Sequence, residues 1–248
     1  MNPARAETFQ CVSDVGRRRT ENQDAWRADP EAGLYLVADG MGGLPSGGVA
    51  AKAVAELLPG KVVAALAALP KRTEAAVEEA LKEALAGFSR ELRERAAADP
   101  RLAGMGSTVV LALVQGRCLY VASLGDSRAY LLEGARLRAL TRDHSVVSVL
   151  LQLGKITREE AERHPARSLV SRYVGMDGKA VADVRRARLK RDARLLLCTD
   201  GLSGMLSDDE IRATLAEEGP DAAARLVARA NEAGGADNVT ALVVDFKR

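Results

Sequence analysis

Five aspartates stand where a strand pattern begins or ends: Asp24, Asp39, Asp126, Asp200 and Asp237. Two of them share a design. LYLVADG closes on Asp39-Gly40 and LLLCTDG on Asp200-Gly201, each an apolar run that stops at Asp followed by Gly. A carboxylate in that place sits on a rigid support, and Gly lets backbone or ligand approach closely. Asp24 lies in RRRTENQDAW, Asp126 in SLGDSRAY and Asp237 in GGADNVTALVVDF. Taken singly, each reads as a turn cap, because Asp bonds readily to nearby backbone. Gathered at one end of a sheet sandwich, the five would repel one another and resist desolvation unless something cationic neutralised them. All-oxygen sites of that kind suit Mg²⁺ or Mn²⁺, which also keep several waters. Two such ions about 3.5–4 Å apart are suited to in-line attack on phosphorus. Arg17, Arg18 and Arg19 stand a few residues before Asp24, and a guanidinium fork grips two phosphate oxygens at once.

Composition narrows the alternatives. The 248 residues carry 36 Lys and Arg against 34 Asp and Glu, a net charge of +2. That balance argues against nucleic-acid binding by bulk charge and against a polybasic membrane anchor. One Trp, four Tyr and three Phe leave little for a base-stacking platform. No apolar run approaches the ~18 residues of a membrane span, and MNPARAETFQ lacks a signal-peptide core. Three scattered cysteines (Cys11, Cys118, Cys198) and two histidines (His144, His164) disfavour a disulfide framework and a zinc site. Any metal must therefore be held mostly by carboxylates.

The elements that must position the acids follow from periodicity. Thr8–Ser13 and Gly33–Ala38 read as strands. Ser46–Leu58 reads as a helix with Ser46 as N-cap and Pro59-Gly60 as its stop, followed by a second helical stretch to about Leu69. Thr73–Ala98 is a long amphipathic helix, apolar at Val77, Leu81, Leu85, Phe88 and Leu92, with i,i+4 pairs at Glu78–Lys82 and Glu91–Arg95. Ser107–Val114, Cys118–Leu124, Arg128–Leu132 and Leu137–Leu140 read as four strands joined by hairpin-length separators. Helical pieces at Ser145–Leu153 and Arg158–Arg163, strands at Ala182–Leu189 and Arg194–Cys198, helices at Asp208–Glu217 and Asp221–Ala233, and a strand at Val239–Phe246 complete the chain. The order predicts an α+β fold, antiparallel sheets covered by helices.

In sequence order the motifs are G-x-x-R-x-x-N-x-D (Gly16 to Asp24), VADGMGG (Val37 to Gly43), GST (Gly106 to Thr108), GDSRAY (Gly125 to Tyr130), CTDGLSG (Cys198 to Gly204) and ADNVTALVV (Ala236 to Val244). Together they resemble the metal-dependent Ser/Thr protein phosphatases of type 2C in their bacterial form, over nearly the whole chain. The resemblance implies two packed antiparallel β-sheets flanked by antiparallel α-helices, a four-layer α-β-β-α sandwich, as one domain over residues 1–248 with a helical flap at about 143–175. It implies hydrolysis of phosphoserine and phosphothreonine in proteins by direct attack of a metal-bridging water, with no phosphoenzyme. Asp39 is then the carboxylate shared by two Mn²⁺ or Mg²⁺ ions, the Gly40 carbonyl completes one shell, and Asp200 and Asp237 hold the other ion. Asp126 with Asp200 resembles the ligands of a third metal, Arg19 the phosphate-binding residue, and Asp24 a support acting through the metals' water shell. His144, in the flap, is the histidine expected to approach substrate. The implied partners are phosphorylated proteins and a cognate Ser/Thr kinase; the implied state is a cytoplasmic monomer without membrane insertion.

Departures from the family pattern bear on the site. Gln23 stands between Asn22 and Asp24 where the family has Glu, which lowers the negative charge beside the metals. Met41 follows Asp39-Gly40 where some eukaryotic members have His, so no side-chain general acid is expected there. Leu44 and Gly48 stand where bacterial relatives often have His and Glu. Three rival readings are weaker. Cys11 to Arg17 matches C-x5-R, but Cys11 lies in a strand pattern rather than in a phosphate-cradling loop. The Gly-rich turn after Asp39 lacks nucleotide-binding spacing, because Pro45 stands where the third Gly belongs. An inactive regulatory binding domain has no chemical reason to keep mutually repelling carboxylates.

Overall fold

The structure, a computed structural model, describes residues 8–41 and 46–246. In chain order the elements are β1 (Thr8–Asp14), β2 (Asp24–Asp29), β3 (Leu34–Met41), α1 (Ser46–Ala67), α2 (Glu74–Ala98), β4 (Gly106–Ser107), β5 (Val109–Gln115), β6 (Cys118–Leu124), β7 (Arg128–Glu133) and β8 (Arg136–Ala139). Then come α3 (Val146–Gln152), α4 (Arg158–Glu162), β9 (Asp183–Arg188), β10 (Ala193–Cys198), α5 (Asp200–Ser203), α6 (Asp208–Ala216), α7 (Ala222–Glu232) and β11 (Val239–Phe246). One sheet has the order β1-β11-β10-β7-β8 and the other β2-β3-β5-β6-β9, with β4 attached to β3. The ladders between these strands are antiparallel.

Three apolar layers hold the four layers of secondary structure together. Helices α1 and α2 bury Val54, Leu58, Leu81 and Leu85 against Leu34, Leu36, Leu111 and Leu113 of one sheet. Helices α5, α6 and α7 bury Leu202, Ile211 and Leu226 against Leu196 and Val243 of the other. Between the sheets lie Tyr35, Val37, Val110, Leu131, Leu195, Leu197, Leu242 and Val244. Successive residues of β3 and β11 thus point alternately to a helix layer and to the inter-sheet layer, the period-two rule of a strand buried on both faces. Each fully buried aliphatic side chain contributes roughly 1.5–3 kcal/mol, so these layers dominate the stability. The α-β-β-α architecture is the one that the sequence implied.

Four local expectations need correction. Strand β2 was not anticipated: DAWRAD is polar because it forms an edge, paired on one side with β3. Helix α1 does not stop at Pro59 but runs through it to Ala67. Pro59 forfeits one hydrogen bond, yet Leu58, Val62 and Leu66 on either side stay buried in the same layer, which holds the helix together. The four strands from Ser107 to Leu140 do not form one sheet. Residues 125–127 carry the chain from β6 in one sheet to β7 in the other, so that this separator is a crossing and not a hairpin. On α2 the ions pair differently, with Lys82 on Glu79 at 3.3 Å and Glu91 on Lys61 of α1 at 2.7 Å.

Candidate active site

The inter-sheet layer changes character at one end. Along each inward-facing row the apolar residues give way to polar ones on the same alternation: Tyr35 and Val37 to Asp39, Val110 to Thr108, Ala129 to Ser127, Leu197 to Thr199, and Leu242 to Thr240. Asp24 joins them, because β2 and β3 pair it directly with Asp39. The sandwich therefore ends in a floor of hydroxyls and carboxylates supported by apolar packing below.

Hydrogen bonds tie much of that floor together. Asp24 Oδ2 accepts from Thr240 Oγ1 at 2.6 Å and from Thr199 Oγ1 at 2.9 Å. Thr240 Oγ1 also lies 2.7 Å from Ser13 Oγ. Asp39 is fixed at its backbone, where its N–H donates to Thr108 Oγ1 at 3.0 Å and its carbonyl accepts from Thr108 N–H at 2.8 Å. Thr108 Oγ1 is 2.7 Å from Ser127 Oγ, which ties β3 to the crossing that carries Asp126. Gly40 is required by close packing: a Cβ there would collide with the Gly47 carbonyl and stand 2.8 Å from the Gln23 carbonyl oxygen.

Above the floor opens a cleft of about 540 Å³. Asp39, Gly40, Asp126, Asp200, Asp237, Arg19 and Gln23 all line it, so seven of the nine expected site residues converge from five separate segments. Asp24 is not among the residues that line the cleft. Asp237 Oδ1 accepts from the Asn238 N–H at 2.8 Å, and its Oδ2 accepts from Arg19 Nη2 at 2.6 Å. Arg19 keeps 56% of its side chain exposed. Gln23 turns its amide oxygen toward Gly47 at the start of α1, where a Cβ on Gly47 would be 2.8 Å away. Residues 42–45, Leu44 among them, lie outside the described residues.

Asn238 was not singled out from the sequence. Its Nδ2 donates to the Val15 carbonyl at 2.9 Å and the Glu21 carbonyl at 2.8 Å, and its Oδ1 accepts from the Gln23 N–H at 2.8 Å. One buried amide thus holds the whole loop that presents Arg19. The Asp-Asn pair in ADNVTALVV was the available signal.

The electrostatics bind these residues into one group. Burial, and then Asp24, Asp200, Asp126 and Asp237, hold the Asp39 carboxyl well above the usual carboxylate range. Asp24 is pushed up to about 7, by burial first and by Asp200 and Asp237 after it, against the lowering bonds from Thr240 and Thr199. Asp126 is likewise pushed up to about 7 by burial, Asp200 and Asp143. Burial and Asp237 raise Asp200. Like charges that cannot all ionise in one place are what a bound cation would relieve.

His144 is not at the cleft. It is buried beside the Gly125 turn, with Nδ1 accepting the Gly125 N–H at 3.2 Å and Nε2 lying 3.2 Å from Asp183 Oδ2. Burial lowers its pKa, which favours the neutral ring. The flap instead lends the cleft Ser168 and Val170. Cys11, the rival nucleophile, packs against the inter-sheet layer with its thiol pushed up by burial, and it does not line the cleft.

The donor set fits hard divalent ions. Buried Asp24 Oδ1 and Asp200 Oδ1 have no hydrogen-bond partner, a costly state for an ionised carboxylate unless a cation satisfies it. Among the described residues no three acidic, His or Cys side chains converge closely enough to wrap one ion unaided. An ion here would fill its shell with the Gly40 carbonyl and water, as Mg²⁺ and Mn²⁺ do.

Known proteins are similar to this chain over most of its length. The model of the Protein phosphatase 2C family matches residues 16–240, and the chain belongs to that family. It is 34% identical over 242 residues to the serine/threonine phosphatase stp of Listeria monocytogenes, covering 94% of this chain and 93% of that protein. The crystal structure of Stp1 from Staphylococcus aureus superposes with a TM-score of 0.85 at 31% identity, over 97% of this chain and 95% of that one. The catalytic domain of PstP in complex with two manganese ions gives 0.78 at 32% identity, over 97% and 98%.

Proposed function

We propose that this chain hydrolyses phosphoserine and phosphothreonine in proteins, with Mn²⁺ or Mg²⁺ as cofactor. The observation that carries the proposal is the convergence of Asp39, Asp126, Asp200 and Asp237 on the one cleft that also holds Arg19. The relatives named above are serine/threonine phosphatases, and the PstP structure contains two manganese ions. In this assignment Asp39, the Gly40 carbonyl, Asp200 and Asp237 would hold the two principal ions, and Asp126 with Asp200 would hold a third. When bound, the ions supply charge neutralisation for the phosphate and a water acidified for attack.

The chain's own residues do the rest. Arg19 is anchored through one nitrogen on Asp237, and its other N–H groups orient the phosphate and share its charge. Asp24, held by Thr199 and Thr240, fixes the polar floor from below. Met41 lines the cleft and has no proton to give, so the leaving Ser or Thr oxygen takes its proton from water. The flap, about residues 143–175, borders the cleft through Ser168 and Val170 and is the place for substrate selection. Among the described residues no helix is long and apolar enough to cross a membrane. The chain is proposed to act as a cytoplasmic monomer on the products of a cognate Ser/Thr kinase.

The test is hydrolysis of a phosphothreonine peptide in Mn²⁺ and in EDTA. Turnover with Mn²⁺ alone is the expected result; turnover in EDTA, or none with Mn²⁺, contradicts the proposal.

A further inference from the structure

Charge is unevenly spread along the chain. Residues 185–194 carry Arg185, Arg186, Arg188, Lys190, Arg191 and Arg194 against the single acid Asp192, although the whole sequence is nearly balanced at +2. Much of this run is β9, the last strand of its sheet, which pairs with β6 on one side and with no described strand on the other. An edge strand turns alternate N–H and C=O groups outward, where they can pair with another extended chain. The opposite edge of the same sheet, β2, reads DAWRAD and mixes two acids with one base. The basic strip therefore belongs to one side of the sandwich.

The acids near that strip are already engaged. Arg186 pairs with Glu74 at the start of α2. Glu133 takes Arg138 of β8 at 3.2 Å and Lys190 at 3.8 Å, and Asp183 takes Arg172 at 3.1 Å. Arg117 donates Nε and Nη2 to the Leu189 carbonyl at 3.2 and 3.1 Å. Arg185, Arg188 and Arg191 are exposed and have no ion pair among the described residues. The alternation of the strand sorts these charges. Ala187 packs toward the inter-sheet layer and Val184 toward the helix layer of α1 and α2. Arg186 and Arg188 share the face of Val184, where they line a groove of about 430 Å³ with Glu74, Gln115 and Arg117.

The strip leads away from the cleft. Asp183 lies opposite Ser123, just before the turn that presents Asp126, and Arg188 lies opposite Cys118. Five residues of strand separate the two ends, about 17 Å. A second copy of this chain would bring Arg against Arg, a clash that basic edge strands exploit to deter pairing. Nucleic acid gains from aromatic rings to stack on, and the exposed ones among the described residues, Phe9 and Trp26, stand on β1 and β2 at the far side of the sandwich. An acidic polypeptide can use both the outward main-chain groups and the unpaired guanidinium groups.

We propose that the β9 edge docks an acidic, extended segment of a phosphoprotein substrate, which adds a strand to the sheet and sets its carboxylates against Arg185 and Arg188. Docking there raises the effective concentration of a phosphorylated residue elsewhere on the same substrate at the cleft. The inference rests on the phosphatase reading for the identity of the partner; the docking itself does not.

The test compares the full wild-type chain with the double variant Arg185→Glu, Arg188→Glu. Fluorescence anisotropy measures binding of a labelled peptide of about ten alternating Glu and Val residues, and of the same peptide N-methylated at every amide. Kinetics are measured on a phosphothreonine peptide alone and on one joined to the Glu-Val segment by a Gly-Ser spacer of about eight residues, whose mean span of about 16 Å suits the distance.

The expected result is saturable binding of the acidic probe at low salt, about 10-fold weaker in the folded double variant. N-methylation keeps the charge but removes the main-chain donors, and it should weaken binding by a similar factor. The acidic tail should lower KM about 10-fold in wild type alone, with kcat unchanged, while both proteins turn over the tailless peptide alike. Equal binding of the probe by the two proteins, equal binding of the N-methylated probe, or a tail that leaves the wild-type KM unchanged would overturn the proposal. So would a uridine oligonucleotide or phosphatidylglycerol vesicles that bind more tightly than the probe and lose that binding in the double variant. Should the double variant fail to fold, Arg188→Gln decides in its place, with about 3-fold weaker binding expected and wild-type binding contradictory. A chain that binds the probe as expected yet hydrolyses neither phosphopeptide would defeat the phosphatase reading and leave the docking edge standing.

Discussion

LYLVADG and LLLCTDG read alike, yet the chain treats their aspartates differently. In the first, the strand runs through Asp39 to Met41, because Gly40 and Met41 find partners in Ser107 and Gly106 of β4. In the second, the strand stops at Cys198, Thr199 takes the N-cap position, and Asp200 opens the short helix α5, its carbonyl accepting the Gly204 N–H at 2.6 Å. One carboxylate is aimed by a pleat and the other by a helical turn. What the two segments share is the glycine. A Cβ on Gly40 would strike the Gly47 carbonyl, and one on Gly201 would strike the Asn238 carbonyl, in both cases main chain that cannot swing aside. Asp-Gly here marks a place where a second backbone closes on the acid, whatever secondary structure follows.

Substitution of the acids themselves should have the largest effect. Asp39→Asn and Asp200→Asn should each lower kcat/KM for a phosphothreonine peptide by about 10²–10³-fold or more, the scale of losing one preorganised electrostatic group. Asp39 has the larger effect if it is the shared ligand. Near-wild-type rates in either variant would remove that residue from the site.

The glycines come next. Gly40→Ala and Gly201→Ala should each cost about 1–3 kcal/mol by overpacking, read as a fall in denaturant midpoint. If one is tolerated and the other is not, the two backbones are not equally fixed.

The smallest effect is on pH dependence. Asp24 and Asp126 are raised from the ordinary carboxylate value to about 7 in the folded chain. The folded state then holds more protons than the unfolded state between about pH 4 and pH 7. Stability in EDTA is therefore greatest below about pH 4 on this account and falls as pH rises through 7. Mn²⁺ should flatten that fall, because it favours the ionised form. Thermal midpoints at pH 5, 6, 7 and 8, with and without Mn²⁺, check the sign; a metal-free midpoint that rises over this range contradicts it.

Much of this was legible in the chain. The α+β class followed from the order of the elements and the four layers from the resemblance, and the acids stood out because they interrupt apolar alternation at strand ends. The misses share a physical cause, which is that the deciding partner lies far away in sequence. Strand β2 looks like loop until β3 supplies its ladder. Pro59 looks like a stop until the apolar layer holds both halves of α1. His144 looks like a ligand for substrate until Gly125 and Asp183 are seen to enclose it. The bonds from Thr199 and Thr240 to Asp24 join residues 175 and 216 positions apart, and no local pattern announces them.

The central claim is that carboxylates from separate elements form one divalent-cation centre around Asp39. Calorimetric titration of Mn²⁺ into the wild-type chain and into Asp39→Asn tests it most directly. Two or more ions bound per wild-type chain, with both of the principal ones weakened together in Asp39→Asn, is the predicted result. Equal stoichiometry and affinity in the two proteins would contradict it.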